Sequence, residues 1–350
     1  MPRATWMVHA TVHEPVALVC AFVAHYLDLG ADLIDLRLDR PAPEVERLLA
    51  PLDRVRVTVC TDAYWQATGR DARPALHTLR QRVNAAHAYR ALEQDWMLFC
   101  DADEFLVPEG LFADRLAALP ARVQFRRIRV VERVQRAGVP QEGLFDGVFR
   151  GPLADRGDVA ERVYGRDAAR FLTRGMLGHV AGKSILRRGT DLVPSLHFPV
   201  PPRLGPLDRA LIVATPPWRA RLDGAVIAHF DGLTPLHFLL KLLHKHVSAL
   251  EAPDAPPSKR TEARRALIAA VAAGCLDDAA LRQLQALLWL TPEAEALLRT
   301  ENALHALHLD PAAAALRRFP GAGLDYAAAP FDASLRMQYA ALIARTGFPL

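Results

Sequence analysis

Two hydrophobic rhythms alternate along the first sixty residues. Thr5 to Val12 reads as a first strand. Apolar residues then recur at Val16, Val19, Cys20, Val23 and Leu27, the spacing of one helix face, and Gly30 is placed to end that helix. Ala31 to Leu38 predicts a second strand through Leu33, Ile34, Leu36 and Leu38, followed by a turn at Asp39-Arg40-Pro41. Glu44 to Leu52 is a short helix, and Val55, Val57 and Val59 alternate within a third strand over Arg54 to Cys60. This β-α-β-α-β order implies a mainly parallel, Rossmann-like sheet with helices on both faces. No GxGxxG follows the first strand, which argues against a nicotinamide dinucleotide site.

Tyr64 to Pro74 reads as a polar loop, and Leu76, Leu79, Val83 and Ala86 mark a helix leading to Trp96. The next run, Trp96 to Cys100, is continuously apolar and suits a strand buried on both faces. Pro108 to Leu119 predicts a short helix and Gln124 to Val131 a strand. From Glu132 to Arg174 periodicity is weak, as in a long functional or mobile loop. Ser184 to Arg187 and Ala225 to Phe230 read as strands, separated by a Pro-rich stretch over Arg203 to Arg221 that wraps the surface. Leu236, Leu239, Leu240, Leu243, Val247 and Leu250 define an amphipathic helix whose other face carries Lys241, His244, Lys245 and Ser248. That basic face is either solvated or suited to phosphates or a membrane surface. Glu251 to Lys259 is a Pro-rich linker. Helices are expected over Thr261 to Gly274, Asp277 to Leu290 and Pro292 to His308, with caps at Asp277 and Thr291. The chain therefore divides into an α/β domain over residues 1–250 and an α-helical region over 251–350.

Composition changes this picture little. The 350 residues are 51% hydrophobic and 23% charged, which describes a folded globular protein. Net charge is +4, and acidic residues nearly match the basic ones, so nucleic-acid binding is not inferred. Only Lys183, Lys241, Lys245 and Lys259 are lysines; the other basic residues are arginines, which suit bidentate phosphate contacts. Cys20, Cys60, Cys100 and Cys275 are far apart in apolar contexts, without metal spacing, and read as buried thiols in a reducing compartment. No apolar run approaches a membrane span and no signal segment is evident, so the expectation is a cytoplasmic protein.

The chemistry concentrates after the fourth strand, at Asp101-Ala102-Asp103-Glu104. Ligands of open α/β sheets bind beyond the carboxyl ends of the strands. Two aspartates at i and i+2 on extended backbone point the same way and are costly without a compensating charge. Mg²⁺ or Mn²⁺ is a natural partner, since both take oxygen ligands and share them with phosphates. An EF-hand fails here, because its position 12 would be Phe112. Gly182-Lys183-Ser184 is not a P-loop, because Leu177 stands where a glycine is required.

Asp101-Ala102-Asp103 after a hydrophobic strand resembles the DxD motif of GT-A glycosyltransferases. Trp96 through Phe105 resembles the W-x-x-x-x-D-x-D-E-F segment of a bacterial family-2-like group related to family 92. The resemblance covers about residues 5–250 and implies a GT-A fold and a metal-dependent sugar transfer, as in polysaccharide biosynthesis. The donor would be a nucleoside-diphosphate sugar, UDP-sugar first, and the acceptor a glycan or lipid-linked hydroxyl, with peripheral membrane contact allowed. It assigns Asp103, Asp101 and His229 to the metal, and Glu14, Asp39, Gln81 and Asp101 to the nucleotide. His13 stands where relatives carry Asn. Lys183, with Arg187 and His197 as further candidates, would face the diphosphate or acceptor, and Asp231 or Asp146 would be the base. A nucleotidyl or phosphoryl transferase, or a non-catalytic scaffold, uses the same sequence features and stays open at this point.

Overall fold

The computed structural model describes residues 3–154, 158–202, 220–250 and 286–346, with isolated positions 263, 266, 269, 270, 273 and 283 between the last two segments. The expected linker over 251–259 lies outside the described residues, as do nearly all of the expected surface stretch over 203–221 and most of the two helices expected between 261 and 290.

Elements follow in chain order. They begin β1 (Trp6–Val12), α1 (Val16–Asp28), β2 (Leu33–Leu38), α2 (Pro43–Leu49), β3 (Val55–Val59), α3 (Asp62–Ala67), α4 (His77–Arg90), β4 (Trp96–Phe99), β5 (Glu104–Pro108) and α5 (Phe112–Ala117). Then come β6 (Phe125–Arg136), β7 (Val148–Arg150), α6 (Val159–Ala169), β8 (Lys183–Arg187), β9 (Arg221–His229) and α7 (Pro235–Leu250). The last are β10 (Trp289–Leu290), α8 (Pro292–Thr300), β11 (Leu304–His305), α9 (Pro311–Arg318), α10 (Ala328–Gln338) and α11 (Ala340–Thr346). The chain forms two compact units, one of Met1–Val130, Ala181–Ile227 and Leu309–Leu324, the other of Val131–Val180, Ala228–His308 and Asp325–Leu350. The described residues beyond 290 are thus shared between both units. No described helix is long and apolar enough to cross a membrane.

The first unit is a mixed α/β structure around a mainly parallel sheet. β3, β2, β1 and β4 run parallel, in that order, and β8 continues the sheet antiparallel to β4. The opening residues of β6, Phe125 to Ile128, pair antiparallel with β8. All seven residues of β1 are buried, as a central strand requires. Its pleat sends Trp6 to one face, edge-on to Tyr26 of α1, and Met7 to the other, beside Ala88 of α4. Helices therefore cover both faces. Gly30 closes α1 with φ +81°, its amide donating to Leu27 O. The register β1–β2 sets His9 against Asp35, and the buried imidazole and carboxylate meet at 2.8 Å.

Several stretches differ from the sequence expectation. Residues 62–67 are helical, not loop, because Thr61 caps the turn by accepting from Tyr64 N and the helix buries Trp65. The stretch over 132–174 is not one long loop. Strand β6 continues to Arg136, β7 follows, and α6 covers residues 159–169. Its buried positions include Glu132, Arg133, Gln135 and Arg150, so the strands read as polar.

In the second unit, Glu132 to Val134 of β6 pair antiparallel with β7, β11 pairs with β7, and β10 lies parallel to the end of β6. The helix expected over 292–308 begins as expected, Thr291 accepting from Ala294 N, but it ends at Thr300. Asn302 takes φ +53° and Ala303 N donates to Leu298 O, which stops the helix before β11.

Candidate functional site

The first unit has a topological switch point. The chain steps outward from β1 to β2 and β3, then returns to place β4 on the other side of β1. The crevice beyond the carboxyl ends of β1 and β4 is where such sheets bind ligands. His13 and Glu14 follow β1 there, and Asp101, Asp103 and Glu104 follow β4. The turn is closed locally, Glu104 N donating to Asp101 O and Asp101 N to Glu104 Oε2 at 2.9 Å. Helix α1 fixes β5 behind it. Tyr26 donates its hydroxyl hydrogen to Glu104 O and accepts from Leu106 N, and His25 Nε2 lies 2.8 Å from Leu106 O.

Asp101 has both carboxylate oxygens engaged, Oδ1 by Gln81 Nε2 at 2.5 Å and Oδ2 by Lys183 Nζ at 2.8 Å. The same ammonium lies 2.9 Å from Glu104 Oε2 and 5.3 Å from the centre of the Phe99 ring. Burial alone would lower the Lys183 pKa, but Asp101 and Glu104 raise it well above the ordinary lysine value. Burial likewise favours the acid form of Asp101, and Lys183 outweighs it, holding the carboxyl below its ordinary value. Lys183 thus serves as counterion to the acidic turn. Gln81, expected to face the donor, fixes the other oxygen of Asp101.

Glu14 carries the opposite shift. It is half-buried and accepts from His13 N at 2.6 Å. Burial, and then the charges of Asp103 and Asp101, push its carboxyl up to about 7. Four carboxylates, Glu14, Asp101, Asp103 and Glu104, are gathered with one lysine. Hard-oxygen donors with unbalanced negative charge suit a divalent cation such as Mg²⁺ or Mn²⁺. The folded Glu14 carboxyl, near 7, binds its proton more tightly than at its ordinary 4.5. Its contribution to stability is therefore full below the lower value and is lost as pH rises through the higher one. Glu14→Gln removes this dependence. The difference in unfolding free energy, variant minus wild type, should grow in the variant's favour between these two values by on the order of 1–3 kcal/mol, then level off. Urea unfolding across that range measures it, and a flat difference contradicts it.

At the end of β2, Asp39 is buried and held by Arg80 through Nε at 2.7 Å and Nη2 at 2.9 Å, and by Arg73 Nη2 at 2.6 Å. Burial opposes ionisation, but the two guanidiniums hold Asp39 below the ordinary carboxylate value. Burial, opposed by Asp39 and reinforced by Arg40, Arg73 and Arg80, lowers the His13 pKa. His13 is then neutral at pH 7, one ring nitrogen a donor and the other an acceptor.

The second unit holds the other expected residues. His229 ends β9, and Asp231 follows with Oδ1 3.9 Å from His229 Nε2 and 2.9 Å from Lys241 Nζ. Asp146 is exposed, and its carboxylate accepts from Gly143 N within its own turn. Sequence reasoning missed the base of this region. Glu132 and Arg150 form a buried pair at 2.7 Å. Glu132 also accepts from Leu177 N at 2.9 Å and Gly178 N at 2.5 Å. Gly178 in turn lies against His229: an added Cβ would stand 2.8 Å from both Cε1 and Nδ1 of the imidazole. Gly178→Ala should displace His229 and cost about 1–3 kcal/mol as overpacking. Histidine NMR shifts and denaturation check this, and an unmoved His229 resonance contradicts it.

No protein-family model matches the chain, and no curated protein does. Among solved structures, S. aureus TarS 1-349 in complex with UDP is 12% identical, with 76% of this chain and 70% of that chain covered at a TM-score of 0.32. S. aureus TarS 1-349 alone is 10% identical over 95% of this chain and 91% of that chain, TM-score 0.28. HddC from Yersinia pseudotuberculosis is 11% identical over 58% of this chain and 87% of that chain, TM-score 0.29.

Proposed function

We propose that the protein is a metal-dependent glycosyltransferase that moves a sugar from a nucleoside-diphosphate sugar to an acceptor hydroxyl. The observation that carries this reading is the acidic turn Asp101–Glu104 at the switch point of a parallel sheet, with the Glu14 carboxyl pushed up by burial and then by its neighbours' charge. In the proposal Asp103 is the principal carboxylate for Mn²⁺ or Mg²⁺, with Glu14 and Asp101 beside it. A bound ion would supply positive charge toward the departing diphosphate. His229 enters as a metal ligand by the family pattern alone.

The chain's own residues have distinct tasks. Gln81 and Lys183 fix the Asp101 carboxylate, so the turn need not reorganise during reaction. Asp39, held by Arg80 and Arg73 at the end of β2, would meet the nucleoside in this reading. The acceptor oxygen bonds to the anomeric carbon as the bond to the diphosphate oxygen breaks, and a carboxylate takes the acceptor proton. Asp231 fits that last task better than Asp146, being buried beside an imidazole and an ammonium. Incubation with UDP-, GDP- and CDP-sugars and Mn²⁺ tests the reading. Release of the nucleoside diphosphate from one donor is expected, whereas release of sugar 1-phosphate, or no turnover of any donor, contradicts it.

A further inference from the structure

Within the second unit, the loop between β9 and α7, Phe230 to Thr234, is fastened from several sides. Phe230 is fully buried, its ring edge-on to Phe145 at 5.2 Å and to Phe149 at 5.5 Å. Leu233 N donates to His237 Nδ1 at 3.2 Å, and Thr234 Oγ1 donates to Asp332 Oδ1 at 2.5 Å. Arg133 of β6 adds the closest ties to the backbone. Its Nη2 donates to Gly232 O at 2.6 Å and to Leu233 O at 2.7 Å, and Gln141 Nε2 reaches the same Leu233 O at 2.7 Å. The guanidinium also lies 5.7 Å from the centre of the Phe230 ring. One side chain thus grips the loop on both sides of Asp231, whose own carboxylate meets Lys241 Nζ at 2.9 Å.

A buried cation is an unusual choice for this task. Arg133 is buried, its Nε has no hydrogen-bond partner, and among the described residues no carboxylate bonds to it. Burial pushes its pKa down to about 10, opposed by the charges of Asp146 and Glu132. The chain passes directly over it: a Cβ on Gly147, at φ +133°, would stand 2.8 Å from Arg133 Cδ. A cation held without an ion-pair partner costs stability, so stability alone does not explain it. What arginine offers here is a rigid planar fork that bridges two successive carbonyls. We infer that Arg133, backed by Gln141, is a positioning residue for Asp231, fixing the loop that aims this carboxylate at the acceptor hydroxyl. The inference rests on the proposed reaction with Asp231 as its base. Arg133 bonds to none of the residues assigned to the nucleotide, so its loss should slow transfer and leave donor binding alone.

The test uses the full chain as Arg133→Met, Arg133→Lys and Gln141→Leu, each checked for folding by thermal melting. Release of nucleoside diphosphate is followed with the donor that wild type uses. Arg133→Met should lower kcat by about 10–100-fold, the scale on which a displacement of about 1 Å acts, with donor KM within about twofold of wild type. Arg133→Lys, which keeps a donor, should recover part of that loss, and Gln141→Leu should show a smaller loss of the same kind. His237 reports on the loop without any turnover, through its bond from Leu233 N, and its NMR resonances should shift in Arg133→Met. Unshifted His237 resonances overturn the inference whatever the turnover. Wild-type kcat in folded Arg133→Met, or raised KM with kcat kept, overturns it and leaves the reaction standing. Should Arg133→Met not fold, wild-type kcat in Gln141→Leu overturns it. No turnover by wild type removes the reaction, and the inference with it.

Discussion

Replacing Glu132 with alanine is expected to destabilise the protein by about 3–5 kcal/mol, the range for leaving one partner of a buried pair uncompensated. Arg150 is fully buried, and its guanidinium meets Glu132 Oε2 through both Nε, at 2.9 Å, and Nη2, at 2.7 Å. The substitution strands that charge and also orphans the Leu177 and Gly178 amides. The double variant Glu132→Leu with Arg150→Met should recover much of the loss, because an apolar pair of similar volume removes the stranded charge. Denaturant midpoints of the two variants against wild type measure both effects. A loss below 1 kcal/mol for Glu132→Ala would mean that the pair is not buried as described.

Asp103→Asn is expected to lower donor turnover by at least about 100-fold, the scale on which removing one group that stabilises transition-state charge acts. Stability should move the other way. Asp103 is one of the two carboxylates whose charge raises Glu14, so neutralising it should draw the Glu14 pKa down from about 7 and relieve repulsion in the turn. The metal-free variant should therefore be as stable as wild type or more so, a trade expected where a site stores unfavourable charge. Steady-state turnover and urea unfolding of the same preparation give both numbers. A variant that loses activity and stability together would point to a structural role for Asp103. Asp101→Asn should behave differently, because it breaks the Lys183 pairing and leaves that buried ammonium with Glu104 alone.

The parts of the fold legible in the sequence were those whose burial is apolar. Strand β1 is buried along its whole length, and α1 buries every residue from Leu18 to Leu27, so their rhythms are clean. Strand β6 was only half legible. Its first residues carry Phe125 and Ile128 inward, but its later buried positions are Glu132, Arg133 and Gln135, satisfied by partners that no local pattern shows. The Arg133 guanidinium, for example, donates to Gly232 O and Leu233 O, 99 and 100 residues away.

The site divides the same way. The acidic turn and its place after an apolar strand could be read directly from residues 96–106. The partners that define its electrostatics could not. Lys183 lies 82 residues from Asp101, and Arg80 lies 41 residues from Asp39. Nor does any local pattern show that Gln81 and Lys183 both bond to Asp101. Glu132 gave no signal at all, since a lone Glu within a charged stretch looks like a solvated face.

The central claim is that the acidic turn forms a cation-dependent nucleotide site. Thermal melting of wild type and Asp103→Asn with UDP, GDP or CDP, each with and without Mn²⁺, tests it most directly. A ligand that binds only the folded chain raises its melting temperature, by an amount that follows its concentration relative to Kd. The account predicts a rise with one nucleotide that requires Mn²⁺ and disappears in Asp103→Asn. A rise of equal size in the variant, or none with any nucleotide, would contradict it.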